Sequence, residues 1–157
     1  MTDLLDRRLF IGAAAAIGLV PTQLIAAPAN SFVMWHSPGC GCCLEWAKRM
    51  EVAFKRKLPI VETPDMARVK RAQGVPDDLQ SCHTALIHGY AIEGHVPPTD
   101  IQRLIRSKSG IVRGLAVPGM PLGSPGMEAP DGRIDPYSVI AFRSDGDIRI
   151  FARYGGA

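Results

Sequence analysis

The chain has 157 residues, with 18 Lys and Arg against 15 Asp and Glu, so its formal net charge is only +3. The basic residues are scattered, and Glu51 interrupts the densest group, between Lys48 and Lys57, which is typical of the exposed face of a helix. The charge pattern therefore argues against a nucleic-acid partner, and the length suits one domain with a single hydrophobic core.

The N-terminal segment has the features of an export leader. Arg7 and Arg8 are typical of a twin-arginine signal, an apolar run follows from Ile11 to Ala27, and small residues suited to cleavage end at Ala29. We expect residues 1–29 to be removed and residues 30–157 to form one periplasmic domain without a stable membrane span. An uncleaved N-terminal anchor is the alternative. Free thiols persist in an oxidising periplasm only when they are protected, cycled or bound to metal.

The first half of the mature chain alternates strand and helix patterns. Apolar runs that end at turn-forming residues predict strands, and apolar residues at helical spacing predict helices. In chain order these elements are a strand at Ser31–His36, a helix from Cys43, a strand at Leu58–Glu62, and a helix from Pro64, capped by Thr63, to Gly74.

The second half adds strands, one helix and a long loop. In chain order we expect paired strands at Thr84–His88 and Tyr90–Glu93, a helix that begins with a capping box at Thr99–Gln102, a Gly/Pro/Met-rich loop at Gly110–Pro136, and a terminal hairpin of Tyr137–Arg143 and Ile148–Tyr154. The whole order predicts an α/β protein with a thioredoxin-like fold, in which helices flank a mixed sheet. The hairpin and the long loop are additions to that fold.

Four cysteines carry most of the functional information. Cys40 and Cys43 have CxxC spacing at the expected start of the first helix, and Cys42 adds a third thiol that a redox dithiol does not need. In a thioredoxin-like fold the residue that opens the third strand faces this loop. Cys82 stands there, where redox thioredoxins usually carry a cis-proline. A helix N-terminus stabilises thiolates, and clustered thiolates select Cu(I), zinc or iron–sulfur units.

Clustered thiolates can bind Cu(I), and they can bridge several Cu(I) ions. Structural zinc sites favour two separated CxxC-type pairs, and iron–sulfur clusters normally use other spacings, so both are lesser alternatives. No motif indicates a cofactor that would donate electrons. Whether the protein is an enzyme that turns over copper therefore stays open.

Two methionines and three histidines are further candidate metal ligands. Met120 and Met127 lie in similar Gly-Met turns of the long loop, where their thioethers can bind Cu(I) or merely fill gaps against the core. His36, His83 and His95 lie near the cysteines or at strand ends, and a hydrogen-bonded structural role is their alternative. His83 would point away from its cysteine neighbour if both lay in one strand.

Several motifs of the mature chain occur together in one known family. They are Cys40-Gly41-Cys42-Cys43 with Trp46, Ser81–Ala85, Gly89–Pro97, Gly114–Pro121 and Gly123–Glu128. This combination covers essentially all of the mature chain and resembles the CopG-like family of bacterial copper-resistance proteins. The resemblance implies a thioredoxin-like periplasmic protein that handles copper through its cysteines. Copper ions and other periplasmic copper-resistance or efflux components would be its partners.

Three functions remain open at this point. The first is copper binding for resistance or homeostasis through Cys40, Cys42, Cys43 and Cys82, with or without redox handling of the metal. The second is a thiol–disulfide oxidoreductase in which Cys40 attacks and Cys43 resolves. The third is a structural or interaction domain stapled by Cys40–Cys43 and Cys42–Cys82 disulfides, which are the feasible pairs because neighbouring cysteines cannot pair readily.

Overall fold

The computed structural model describes residues 31–156, which form a seven-stranded mixed sheet with three α-helices. The predicted leader at residues 1–29 lies outside the described residues. The elements are β1 (Phe32–His36), α1 (Gly41–Phe54), β2 (Ile60–Glu62), α2 (Met66–Gln73), a 3-10 turn (Asp77–Leu79), β3 (His83–Ile87), β4 (Tyr90–Glu93), α3 (Pro98–Ser107), β5 (Val112–Ala116), β6 (Tyr137–Arg143) and β7 (Ile148–Tyr154).

The strands lie in the order β2-β1-β3-β4-β5-β6-β7. The pairs β1/β2 and β4/β5 are parallel, and the remaining neighbours are antiparallel. All five residues of β3 are buried, and this strand lies between β1 and β4 in the sheet. Among residues 31–156, no helix combines the length and apolar character that crossing a membrane requires.

Helix α1 packs one apolar face into the core and thereby fixes the position of its first turn. Cys43, Trp46, Ala47 and Met50 are buried, and they recur at the three- and four-residue spacing of one helix face. Burying a side chain of this kind contributes roughly 1.5–3 kcal/mol each for the larger apolar residues. The N-terminal end of α1, which carries the cysteines, is therefore held against the sheet.

The starts of α2 and α3 differ from the sequence prediction. Asp65, not Thr63, is the N-cap of α2, because its carboxylate accepts a hydrogen bond from the Arg68 amide at 3.0 Å. Thr63 instead accepts a bond from the Asp65 amide at 3.2 Å, so the helix begins after Pro64.

The predicted capping box of α3 is also wrong. The helix begins at Pro98, and Thr99 lies inside its first turn. Gln102 donates to the carbonyl of Ala53 at 3.0 Å and so contacts α1, rather than its own helix start. A proline at the first helical position needs no amide partner, which explains why this helix starts without a side-chain cap.

Strand β5 lies inside the segment Gly110–Pro136 that was predicted to be a loop. It pairs in parallel with β4, and Gly114 lies opposite Ala91. A Cβ atom at Gly114 would overlap the Ala91 carbonyl, so the close approach of the two strands requires glycine here. The glycine that weakened the strand pattern in the sequence is the residue that permits the pairing.

Candidate metal centre

The four cysteine sulfurs lie together at one end of α1. Cys40 precedes the helix, Cys42 and Cys43 lie in its first turn, and Cys82 immediately precedes β3. All four Sγ atoms are within 4.8 Å of one another. Residues almost forty positions apart in sequence are thus brought into one cluster of soft donors.

Two of these cysteines are joined in the described state. Cys40 and Cys43 form a disulfide across one turn, with their Cα atoms 5.4 Å apart. Cys42 and Cys82 are free thiols, and Cys42 Sγ lies 3.6 Å from Cys40 Sγ. The stapled alternative required a second disulfide between Cys42 and Cys82, and the structure does not contain it among the described residues.

The Cys82 thiol is protonated at neutral pH in this state. Burial raises the pKa of Cys82 to about 12, and the nearby Cys42 thiol adds to the shift. A metal ion that binds this sulfur must therefore displace a proton from it.

Two histidines contact the same sulfur. Cys82 Sγ lies 3.3 Å from Nδ1 of His83 and 3.1 Å from Nε2 of His95. Cys82 precedes β3 and His83 begins it, so strand alternation does not separate these two side chains. His95 Nδ1 lies 2.8 Å from the Pro125 carbonyl oxygen, to which it donates a hydrogen bond.

Both histidines are fully buried and electrically neutral in this environment. Burial lowers the pKa of His95, and it lowers the pKa of His83 well below its usual value, together with the nearby His95 and Lys70 side chains. The His83 ring also packs against Trp46, with ring centroids 4.5 Å apart. Neutral imidazole is the form that binds metal ions.

The loop at residues 117–128, which we call the covering loop, packs beside the cluster. Gly126 packs so tightly on α1 that a Cβ there would lie 2.7 Å from the Trp46 nitrogen and 2.9 Å from the Cys42 carbonyl oxygen. Ser81 donates a hydrogen bond to the Gly119 carbonyl. At the end of the loop, Glu128 accepts a bond from Arg49 at 2.6 Å. Both loop ends are therefore fixed beside the cysteines.

Three candidate ligands from the sequence remain predictions. Met120 is 53% exposed in the covering loop, and Met127 is half-buried there. His36 is buried, with Nδ1 2.7 Å from the Ser37 carbonyl oxygen, and it belongs to neither donor cluster.

A buried ionic network beneath Cys82 was not predicted from the sequence. Glu93 is fully buried, pairs with Lys70, and accepts hydrogen bonds from the Ser81 amide at 2.6 Å and the Thr84 hydroxyl at 2.7 Å. Burial raises the pKa of Glu93 although Lys70 acts in the opposite direction. The carboxylate thus binds the backbone amide before Cys82 and the Thr84 side chain after it. In the sequence, the one feature that could have indicated this network is a glutamate at the end of an otherwise apolar strand.

Comparisons with known proteins place the chain in a family. Residues 79–127 match a family model described as "Protein of unknown function, DUF411". No curated protein matches the chain.

Two solved structures are similar over most of its length. One, named "Copper resistance protein copG- Form 1", is 40% identical with a TM-score of 0.72, over 81% of this chain and 100% of that chain. Another, named "Copper resistance protein copG- Form 2", is 42% identical with a TM-score of 0.71, over 78% of this chain and 95% of that chain. The resemblance seen in the sequence is confirmed, and the chain belongs to the CopG family of copper resistance proteins.

Proposed function

We propose that the protein is a periplasmic copper-binding protein for copper resistance, which binds Cu(I) through the thiolates of Cys40, Cys42, Cys43 and Cys82. The observation that carries this proposal is the convergence of the four sulfurs within 4.8 Å. Thiolates are soft donors that favour Cu(I) over hard cations. The names of the two similar structures support copper as the metal.

Binding by all four sulfurs requires reduction of the Cys40–Cys43 disulfide. Two electrons and two protons, supplied by an external thiol reductant, convert the disulfide to two thiols. Each thiol then loses its proton as it binds copper. The free backbone N–H groups and the positive dipole end of α1 favour the resulting negative charge.

The element order supports a thioredoxin-like interpretation of the site. Strands β1 to β4 lie in the order β2-β1-β3-β4, and α1 follows β1. In thioredoxin-like folds the CxxC loop faces the residue before the third strand, and Cys82 is that residue here. A sulfur donor at this position turns a peptide-binding groove into one side of a metal site. Copper ions and other periplasmic copper-resistance or efflux components are the proposed partners.

A thiol–disulfide oxidoreductase is the second candidate function. It is favoured by one observation, the disulfide between Cys40 and Cys43 at the start of a helix. In that function Cys40 attacks a substrate disulfide and Cys43 resolves the mixed disulfide. Cys42 has no role in such an exchange, so a substitution of Cys42 distinguishes the two candidate functions.

Anaerobic titration of the reduced protein with Cu(I), followed by thiolate-to-copper absorption, tests the proposal. The Cys42→Ser variant should bind fewer copper ions and retain thiol-exchange activity. His88→Asn is the matched control because His88 is an exposed turn residue with a φ of 49°, which asparagine tolerates. If the Cys42→Ser variant binds copper like the wild type, Cys42 is not a ligand, and the oxidoreductase function, which does not use Cys42, replaces the proposal.

A further inference from the structure

We propose that the outer face of α1 is a docking surface for an acidic segment of a partner protein. This surface, which we call the basic face, comprises the exposed side chains of residues 44–57, that is, of α1 and the three residues after it. None of its residues belongs to the metal centre. The inference therefore goes beyond the proposed function and does not depend on it.

The basic face carries an excess of positive charge that the rest of the domain lacks. Residues 44–57 contain five Lys and Arg residues and two glutamates, whereas the remainder of residues 31–156 contains eleven residues of each sign. One of the five, Arg49, pairs with Glu128 of the covering loop, which leaves four cations against two carboxylates. A local excess of one sign attracts a partner segment of the opposite sign and orients its approach.

Two cations of the basic face have no carboxylate partner. Lys48 and Lys57 each pair with a glutamate of α1, whereas no carboxylate among residues 31–156 pairs with Lys55 or Arg56. The Arg56 guanidinium lies 5.0 Å from the centroid of the Phe32 ring, which holds it at the surface beside Lys55. These two neighbouring cations can therefore bind the carboxylates of another chain.

An exposed valine lies among these charges. Val52 is 79% exposed, more than any other large apolar side chain of the described residues. Two adjoining depressions of about 500 and 240 Å³ are both lined by Lys48 and Val52. The dipole of α1 favours lysines near its C-terminal end, but it does not account for an exposed valine there. An apolar contact within a charged rim is the usual composition of a protein–protein interface.

The composition of the basic face favours an acidic protein segment over an anionic membrane. A helix that lies on a membrane has a continuous apolar face rich in Trp, Phe or Leu. On α1 the exposed apolar side chains are Leu44 and Val52, which lie about two turns apart. Glu45 and Glu51 lie among the cations and would repel lipid phosphates. In a protein interface the same carboxylates discriminate between registers of the bound segment.

The position of the basic face brings a bound partner close to the cysteines. Leu44, Lys48 and Val52 follow one another at four-residue spacing along one side of α1, and Leu44 directly follows Cys43. This stripe is about 12 Å long, which corresponds to an extended segment of about four residues. One end of the docked segment would therefore lie beside the first turn of α1.

Binding of a synthetic acidic peptide to the metal-free protein with its disulfide intact tests the inference. The probe is a fluorescent peptide in which one leucine lies between two runs of glutamate, and fluorescence anisotropy follows its binding. We expect saturable binding that weakens steeply as salt is added, because exposed charges are screened. Amide NMR shifts on binding should centre on residues 44–57. No saturable binding, or shifts centred elsewhere in the chain, would overturn the inference.

Lys55→Glu and Lys108→Glu form a matched pair of variants. Both lysines are exposed helix C-caps in the left-handed conformation, with φ of 50° and 49°, so the two changes alter charge and backbone strain alike. Lys55→Glu should weaken peptide binding roughly fivefold, because it removes one exposed attraction and adds a repulsion. Lys108→Glu should bind the peptide like the wild type. Equal losses in the two variants would mean that the probe responds to net charge alone, which overturns the inference.

Val52→Ser and Ile111→Ser test the apolar contact. Ile111 is 62% exposed and lies outside the basic face, so neither change removes a buried side chain. Val52→Ser should weaken binding of the leucine peptide and leave unchanged the binding of a peptide with serine in its place. Ile111→Ser should bind both peptides like the wild type. If Val52→Ser binds the leucine peptide as tightly as the wild type, Val52 is not an anchor and the inference fails.

Vesicles of phosphatidylethanolamine and phosphatidylglycerol in equal parts test the membrane alternative. The wild type should bind the peptide and should not sediment with these vesicles at the same ionic strength. Sedimentation that Lys55→Glu abolishes, without peptide binding, would assign the basic face to a membrane surface and overturn the inference. No cysteine takes part in these measurements, so this failure would leave the proposed copper binding standing.

Discussion

The two halves of the donor cluster are built in different ways. Cys40, Cys42 and Cys43 lie within one turn at the start of α1, so helix geometry alone brings their sulfurs together. Cys82 and His95 come from segments that meet only after β3 and β4 have paired. The redox-active disulfide pair lies within the helix half, whereas the sheet half depends on the fold for its geometry. Substitutions that affect one half and spare the other test this difference.

Cys82→Ser should have the largest effect, because Cys82 belongs to both donor clusters. Oxygen is nearly isosteric with sulfur and a much poorer ligand for Cu(I). We expect Cu(I) stoichiometry and affinity to fall sharply in an anaerobic titration, with the far-UV circular dichroism spectrum unchanged. Unchanged copper binding, or gross loss of secondary structure, would make Cys82 a structural residue.

The helix half follows from local spacing in the sequence, whereas Cys82 could be placed beside it only through the predicted fold, and His95 was one of several candidate ligands. CxxC spacing is local, so a helix start after Gly39 was enough to predict that Cys40, Cys42 and Cys43 lie together. Strands β6 and β7 likewise have the bounds that their patterns predict. Strand β5 was missed because Gly114 weakens its pattern, although the close approach to Ala91 requires that glycine.

The network around Glu93 shows why the remaining contacts could not be predicted. Lys70 and Glu93 are 23 residues apart on a helix and a strand, and neither lies in a motif that marks an ion pair. Their contact follows from the packing of α2 beside β3 and β4, which no local pattern specifies. Similarly, the hydrogen bond between His95 and the Pro125 carbonyl depends on how the covering loop packs, which no local pattern specifies.

Glu93→Gln should have the second-largest effect, and it should act on the sheet half. The change leaves the Lys70 ammonium buried without its carboxylate, and breaking a buried ion pair from one side costs roughly 3–5 kcal/mol of stability. It also weakens the anchor of the Ser81 amide beside Cys82. We expect a lower free energy of unfolding in urea and weaker Cu(I) binding, with thiol exchange at Cys40 and Cys43 preserved.

Glu128→Gln provides the matched control for that experiment. Glu128 pairs with Arg49, and both side chains are largely exposed, so losing this pair should cost at most about 1 kcal/mol. Equal losses of stability in the two variants would show that the Lys70–Glu93 pair has no special role beneath Cys82.

The smallest effect is expected from the double change Met120→Leu with Met127→Leu in the covering loop. Leucine retains the bulk and hydrophobicity of methionine but removes both thioether sulfurs, and such swaps usually cost less than about 1.5 kcal/mol. Met120 is 53% exposed, so its replacement should disturb little packing. If either thioether is a ligand or a shield, the variant should bind fewer Cu(I) equivalents or oxidise faster in air, with a nearly unchanged melting temperature. A variant that equals the wild type in copper loading and air sensitivity would show that neither half of the cluster uses a thioether donor. The two methionines would then be packing residues.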